Sequence, residues 1–305
     1  MNVKIAFALR PVTVTTVAVL LALLLVGGGS CSSQHEPDRD GRQRIVSLAP
    51  SVTEILFALG LGDRIVGVTS YCTYPEAARR IERVGGLGSP NFEKLLSLSP
   101  NLVITTGMER PELASVLRSA GMQALELDIH SFEDVFRAFE KIGRATDTSR
   151  QAAAIVSKMR AGLEAAQERY RTAAGDRPLR VFVEIWDDPI TTVGGLSFLN
   201  DVIAHAGGVN VAHELAEQYP KISPEKVIDW NPDAIVLCYM ARDMRNSASL
   251  AKRIGWTGIS AVRHGRIISD LDNDLILKPG PRLVEGVSRL GERLYGTPTE
   301  KKPKP

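Results

Sequence analysis

The residue types that usually catalyse reactions or hold metals are sparse and scattered in this sequence. The chain has 305 residues and five histidines, which are His35, His130, His205, His213 and His264. They do not form the close groups of three or four ligands that a transition-metal site needs. No G-x-S-x-G, H-E-x-x-H or C-x-x-C motif occurs, and the segment Gly85–Gly88 lacks the lysine of a phosphate loop. The sequence therefore predicts a binding protein rather than an enzyme, with no cofactor of its own.

Aromatic side chains are concentrated in segments that follow predicted strands. Only 6% of the residues are aromatic, yet Tyr71, Trp186 and Tyr219 all fall in such segments. Ligands of α/β sheets bind beyond the carboxyl ends of the strands, and aromatics beside polar groups suit a bulky, partly apolar ligand. We therefore predict ligand contacts from these three aromatics and from the nearby polar side chains of Ser51 and Asp187.

The overall charge excludes one class of partner. Lys and Arg number 37 and Asp and Glu number 35, so the net charge is only +2. Such a balance supplies no basic surface for nucleic acid. Hydrophobic residues make up 44% of the chain, which is ample for a buried core.

Short apolar runs alternate with helical patterns over most of the chain. The runs, such as Asn101–Thr105, are rich in Val, Ile and Leu, and the alternation is typical of a mostly parallel sheet covered by helices. The segment 148–174 interrupts this order, because it lacks Pro and its apolar residues recur at helical spacing, with Asp147 as the expected N-cap. The sequence predicts an α/β fold of two pseudo-symmetric lobes, 44–147 and 175–296, each with a mostly parallel sheet. We expect the segment 148–174 to join them as a long rigid α-helix.

An internal repeat supports the two-lobe prediction. The segment Glu93–Ile104 aligns without a gap on Glu225–Val236, with identical Glu, Lys and Pro and a matching apolar or polar class elsewhere. Each copy has the pattern of a helix, a proline-containing turn and a buried strand. Chance similarity between α/β units is the alternative, but the matching Glu-Lys pair favours a true repeat.

The first thirty residues have the layout of a secretory signal peptide. Basic residues precede an apolar run at 12–26, which is shorter than the roughly 20 residues of a membrane-spanning helix, and small residues follow it. Cys31 then stands where a bacterial lipoprotein is acylated; a plain cleaved signal with an incidental cysteine is the alternative. We predict a tether at 31–43 and a disordered tail at 297–305.

The remaining cysteines, Cys72 and Cys238, are far apart in the sequence. An exported chain could pair them. Nothing else in the sequence suggests a disulfide framework, so we expect two free, buried thiols.

Several segments resemble the periplasmic binding proteins for cobalamin, haem and ferric siderophores. In the first half they are Arg44–Gly60, Val66–Pro75, Asn91–Glu93 and Pro100–Val103. In the second half they are Ala206–Asn210 and Pro279–Arg282. The resemblance covers residues 44 to 296, and its cobalamin-binding members are the most similar. It implies two lobes, a connecting helix and a cleft that closes only slightly.

The resemblance also implies partners and a location. Cobalamin-binding members dock onto arginines of a transporter through one glutamate on each lobe, and Glu93 and Glu225 match those positions. Exposed carboxylates on both lobes could straddle a two-fold permease. The alternative is that each glutamate merely favours the positive end of its helix. We expect a monomer in the periplasm or on the outer face of a membrane, anchored by lipid at Cys31 and serving an ABC importer permease.

For the ligand, the resemblance points to a corrinoid first, and to haem or a ferric siderophore second. Tyr71 matches an aromatic of the cobalamin site, and Tyr219 stands where that family can have Trp. Leu87 departs from the pattern, because another ligand-facing Trp would stand there. Tyr74 is expected to pack beneath a loop.

Other function classes have weaker support. An enzyme or metallochaperone on a nitrogenase-like scaffold would need cluster-ligating cysteines, and Cys72 and Cys238 alone do not suffice. A zinc or manganese binding protein would need histidines that converge.

Overall fold

The computed structural model describes residues 42–107, 112–239 and 247–296. The predicted signal peptide, Cys31, nearly all of the tether and the predicted tail at 297–305 lie outside these residues. Within the described ranges, no helix combines the length and the apolar character needed to cross a membrane.

The N-terminal lobe, which precedes the long helix, is built on a parallel four-stranded sheet. Its elements are β1 Ile45–Ser47, α1 Pro50–Ala58, β2 Ile65–Val68, β3 Gly85–Gly86, β4 Ser89–Pro90, α2 Phe92–Ser97, β5 Leu102–Thr105, α3 Leu113–Ser119, β6 Gln123–Glu126 and α4 Phe132–Ala145. The strand order is β2-β1-β5-β6, and every pair in this sheet is parallel. The short strands β3 and β4 form a separate antiparallel pair.

The C-terminal lobe repeats this plan with additions. After the long helix α5 Ser149–Ala174, its elements are β7 Arg180–Asp187, β8 Ile190–Thr192, α6 Phe198–His205, β9 Val209–Asn210, α7 Pro224–Trp230, β10 Ala234–Leu237, α8 Ser247–Leu250, α9 Ser260–Arg263, β11 Ile267–Ile268, α10 Asn273–Ile276 and α11 Leu283–Tyr295. The strand order is β11-β10-β7-β8, with β9 also paired to β7. Strand β8 is antiparallel to β7, and the other pairs are parallel.

The inner strands of both sheets, β1, β5, β7 and β10, are buried on two faces, which explains their continuous apolar runs. Along β7, Val181 and Val183 belong to the largest core cluster, whereas Phe182 between them belongs to a cluster on the opposite face. In β1, Ile45 and Val46 divide between two clusters in the same way. This alternation follows from the two-residue period of a strand. The predicted α/β fold with two lobes is confirmed.

Helix α5 packs against both lobes. Its buried face includes Ala152, Val156, Met159, Leu163, Ala166 and Tyr170, which agrees with the helical spacing seen in the sequence. It contacts α4 of the N-terminal lobe and both α6 and α11 of the C-terminal lobe. The predicted N-cap was wrong: Asp147 has a left-handed backbone with φ of 58°, and Thr148 precedes the helix without a side-chain cap.

The prediction for the two cysteines of the lobes is confirmed. Cys72 and Cys238 are not joined in a disulfide, and both are fully buried. Each packs in the largest core cluster, where a thiol behaves as a small apolar side chain.

Candidate ligand-binding cleft

The two lobes meet at opposite edges of their sheets. At one edge, Arg282, which follows β11, donates two hydrogen bonds to the carboxylate of Glu54 on α1, at 2.8 and 2.6 Å. At the other edge, the ring of His130, which follows β6, lies 2.5 Å from the amide nitrogen of Gln218. The backbone carbonyl of Gln218 accepts a hydrogen bond from the backbone N–H of Gly194 at 2.9 Å, which places Gln218 beside the end of β8. The lobes therefore touch at two separate places, and the predicted ligand cleft would lie between these contacts.

A further contact lies at the start of α4. The backbone N–H of Phe132 donates to Asp201 of α6 at 3.0 Å, and its ring lies 4.8 Å from the ring of His205. The Ser131 hydroxyl caps α4 by accepting from the Asp134 amide. These groups tie α4 of the N-terminal lobe to α6 of the C-terminal lobe, and both helices contact the connecting helix α5.

The three predicted ligand-binding aromatics are exposed, but only Tyr71 lies in a loop that directly follows a strand; Trp186 is the second-last residue of β7, and Tyr219 lies in the segment beside β8. Tyr71 follows β2 in the N-terminal lobe and is 53% exposed. Trp186 lies in β7 of the C-terminal lobe and is 45% exposed, and Tyr219 is 43% exposed. Large aromatic side chains in folded proteins are usually well buried, so the exposure of these three rings leaves them accessible to a ligand, and their role in binding stays a prediction.

Local pairing places Trp186 and Tyr219 on one ribbon of the C-terminal lobe. Trp186 lies opposite Thr191 in the β7–β8 pair, and its indole N–H donates to the Asp188 carbonyl at 2.8 Å. The chain around Tyr219 runs along the other side of β8, where Thr192 donates to the Pro220 carbonyl at 3.0 Å. The ring of Trp186 is thus held in one orientation while its face stays accessible.

The two predicted polar ligand residues have different surroundings. Asp187 is partly exposed at the end of β7. Ser51 lies in the first turn of α1 and is only 6% exposed. Their roles in ligand binding stay predictions.

The structure corrects the expectation for Tyr74. We expected it to pack beneath a loop, but it is one of the exposed large side chains. The guanidinium carbon of Arg282 lies 3.9 Å from the centroid of its ring. A cation over an aromatic face is attractive, so Tyr74 takes part in the contact between the lobes.

Sequence reasoning missed the pairing of Glu54 with Arg282. Glu54 is buried on α1 among Val52, Ile55 and Leu56. No basic residue lies one helical turn before or after it in the sequence. A carboxylate on the apolar face of a helix without a local partner is a signal for a distant cation, because a lone buried charge is costly. Burial raises the pKa of Glu54 above its ordinary value, and the hydrogen bonds from Arg282 oppose that shift.

The two predicted docking glutamates are exposed and occupy equivalent places. Glu93 and Glu225 both lie in the first turn of a short helix, α2 and α7. The Asn91 side chain caps α2 by accepting from Lys94, and Ser223 caps α7 by accepting from Lys226. A hydrogen bond from its own amide and one from the Ser223 hydroxyl lower the pKa of Glu225.

Across residues 42–107, 112–239 and 247–296, no group of three or more His, Cys, Asp or Glu side chains is placed to hold a metal ion.

Known proteins resemble this chain over most of its length. The family model described as periplasmic binding protein matches residues 45–274. The uncharacterized ABC transporter substrate-binding lipoprotein YvrC of Bacillus subtilis (strain 168) is 38% identical over 269 residues, which cover 87% of this chain and 83% of that protein. A vitamin B12-binding protein of Vibrio vulnificus (strain CMCP6) is 29% identical over 82% of this chain and 89% of its own length.

A solved structure has the same architecture. The periplasmic heme-binding protein RhuT from Roseiflexus sp. RS-1, in apo form, superposes with a TM-score of 0.75 at 30% identity. The superposition covers 84% of this chain and 98% of that one. The relatives thus agree on the fold and on extracytoplasmic binding, and differ in the ligand that they are named for.

Proposed function

The chain belongs to the periplasmic binding protein family, and on that premise we propose that it captures a cobalamin-like corrinoid for import. In coarser terms, it is a substrate-binding protein of an ABC transporter. The observation that carries the ligand proposal is the set of three exposed aromatics, with Tyr71 in the N-terminal lobe and Trp186 and Tyr219 in the C-terminal lobe.

The chemistry of a corrinoid suits these aromatic side chains and the polar residues beside them. A corrin ring is broad, partly apolar and fringed with polar amides, so it matches flat aromatic rings beside polar loops. Asp187 and Asp188 follow Trp186 directly and could accept hydrogen bonds from such amides. The likeness to a vitamin B12-binding protein supports the same ligand class.

Haem is the second candidate, for a specific reason. The phenol of Tyr71 is exposed, and a tyrosinate oxygen is a known axial ligand of ferric haem iron. Leu87, which is partly exposed, stands where a corrinoid site would have Trp, and this departure also favours the alternative. The likeness to a heme-binding structure is consistent with it.

Delivery of the ligand to the permease would use exposed residues outside the predicted ligand site. We propose that Glu93 and Glu225 contact basic residues of the permease, because they are exposed and each lies at a helix start, one per lobe. We also propose that the protein is a monomer held at the outer face of a membrane by lipid on Cys31, a location that the likeness to a lipoprotein supports.

Calorimetry tests the ligand. We expect heat from cyanocobalamin at micromolar protein, and weaker binding in Trp186→Ala and Tyr219→Ala. Val116→Ala, an exposed apolar residue on α3 away from the strand ends, serves as the matched control. Haemin is titrated in parallel. Binding of haemin but not of cyanocobalamin would replace the corrinoid by haem and keep the transport role.

A further inference from the structure

Two buried glutamates in this protein have the same kind of partner. Glu54 receives two hydrogen bonds from Arg282, and Glu184 receives two from Arg253 at 2.7 and 2.8 Å. Each arginine also lies over an aromatic ring, Tyr74 for Arg282 and Trp256 for Arg253. A buried carboxylate that is hydrogen-bonded to a guanidinium, which in turn lies over an aromatic ring, therefore occurs twice.

The two arrangements differ in what they connect. Glu184 on β7, Arg253 and Trp256 all belong to the C-terminal lobe, so that cluster is internal. Glu54 and Tyr74 belong to the N-terminal lobe, whereas Arg282 precedes α11 of the C-terminal lobe. The side chain of Arg282 is only 17% exposed and that of Glu54 only 2% exposed, so this interlobe pair is largely shielded from water and salt.

The backbone at the interlobe pair is closely packed. A methyl group built on Gly280 would lie 3.7 Å from the Glu54 carboxylate and 3.8 Å from the Ser51 carbonyl. An added methyl group would thus be in ordinary van der Waals contact, so the segment before α11 lies beside the first turn of α1. Lys278 and Asp274 form a further ion pair at 2.8 Å within the same C-terminal segment. Arg282 thus bonds to Glu54 while Lys278 and Asp274 pair with each other in the segment before α11.

The loop held by this contact is the one that carries the exposed Tyr71. Tyr74 lies in the same loop after β2 and packs under Arg282. The Arg83 guanidinium further fixes the loop, since it donates to the carbonyls of Thr69 and Cys72 at 2.9 Å. A rigid loop loses little conformational entropy when a ligand binds to it.

We propose that Arg282 is a positioning residue that fixes the separation of the two lobes and the orientation of the Tyr71–Tyr74 loop through Glu54 and Tyr74. It acts on the ligand through these partners and not by direct contact. The proposal rests on the proposed function, because it assigns the cleft as the ligand site. A planar guanidinium is required, since lysine provides neither the paired hydrogen bonds nor the same stacking.

The test measures lobe separation and ligand affinity in the same variants. Spin labels are placed at Arg118→Cys on α3 and Arg263→Cys on α9, both exposed, in a Cys31→Ala background. Cys72 and Cys238 are buried and should not react. Arg282→Lys and Glu54→Gln are compared with Arg253→Lys, which disturbs the internal cluster in the same chemical way.

We expect Arg282→Lys and Glu54→Gln to broaden the distance distribution. Each should raise the Kd for cyanocobalamin, or for haemin if that is the ligand bound, by about tenfold through faster dissociation, as for one lost charge-assisted hydrogen bond. Arg253→Lys should lower the melting temperature and leave both readouts unchanged.

Two results overturn the proposal. One is an unchanged distance distribution in Arg282→Lys and Glu54→Gln, and the other is a broadened distribution with an unchanged Kd. If the wild-type protein binds neither cyanocobalamin nor haemin, the ligand assignment fails, but the distance measurement still decides whether Arg282 sets the lobe separation.

Discussion

The two lobes share a repeated unit, yet the candidate ligand residues lie outside it. The repeat places α2 and β5 in the N-terminal lobe at equivalent positions to α7 and β10 in the C-terminal lobe. Trp186, by contrast, lies at the end of β7 beside the antiparallel strand β8, and the parallel N-terminal sheet has no such strand among the described residues. The duplicated parts provide the cores and the exposed glutamates, whereas the non-repeated loops provide the aromatic surface.

The lobes also differ in how each stabilises a buried carboxylate. The C-terminal lobe pairs Glu184 with its own Arg253 and with the hydroxyl of Tyr239, whereas the N-terminal lobe depends on Arg282 of the other lobe for Glu54. Burial, together with the hydrogen bond to Glu184, raises the pKa of Tyr239, so its hydroxyl stays protonated as a donor at neutral pH. The C-terminal lobe thus supplies the charged partner of its own buried carboxylate, whereas the N-terminal lobe does not.

The largest expected effect tests this difference. Arg253→Met should destabilise the protein by about 3–5 kcal/mol, because it leaves the fully buried Glu184 without its charged partner. Arg282→Met should cost less, since the raised pKa of Glu54 lets that carboxyl take up a proton when its partner is lost. Urea denaturation of both variants measures their free energies of unfolding. Equal losses of stability would show that the two ion pairs contribute equally.

A second prediction concerns the repeated glutamates. Glu93→Ala and Glu225→Ala should leave ligand affinity nearly unchanged, because neither residue lies in a cleft loop. Each should weaken association with the permease, by about 2–5 kcal/mol if the charge pairs are desolvated in the complex. The double variant should lose transport more completely than either single one. Normal transport by both single variants together with a fall in ligand affinity would instead assign these carboxylates to the ligand site.

The contacts of α5 with the two lobes give a third prediction. A methyl group on Gly291 of α11 would lie 2.4 Å from the buried ring of Tyr170, whose hydroxyl donates to the Ser288 carbonyl at 2.8 Å. A methyl group on Gly143 of α4 would lie 2.8 Å from Ala152. Each Gly→Ala change should cost about 1–3 kcal/mol through overpacking.

The larger loss is expected for Gly291→Ala, because the Tyr170 ring is anchored at its far end and cannot turn away. Denaturation midpoints of the two variants measure this. A larger loss for Gly143→Ala would show that α5 is held more rigidly by the N-terminal lobe.

The sequence predicted the parts of this protein that follow from periodicity. The alternation of apolar runs and helical patterns predicted both sheets and the connecting helix, since burial on two faces leaves a local signature in the inner strands. It also placed Tyr71 after a strand, but it ended β7 at Ile185, whereas the strand continues to Asp187 and contains Trp186. The pairing of Glu54 with Arg282 could not be predicted, because it joins residues far apart in the chain and depends on how the lobes are oriented.

The smallest expected effect compares two carboxylates that titrate in opposite directions. Burial raises the pKa of Glu54, so its contribution to stability is fully present below the unfolded value of about 4.3 and is lost as pH rises through the higher folded value. Hydrogen bonds from its own amide and from Ser223 lower the pKa of Glu225. Its contribution is therefore present above about pH 4.3 and is lost as pH falls through the lower folded value.

Denaturation of the wild type, Glu54→Gln and Glu225→Gln between pH 7 and pH 3.5 separates the two cases. As pH falls from 7 towards about 4.3, the wild type should gain stability relative to Glu54→Gln, because the buried carboxyl becomes neutral. Below about pH 4.3 it should lose stability relative to Glu225→Gln, by a smaller amount because Glu225 is exposed. Slopes of the same sign would mean that Arg282, and not burial, dominates at Glu54, and the interlobe pair would then strengthen with rising pH.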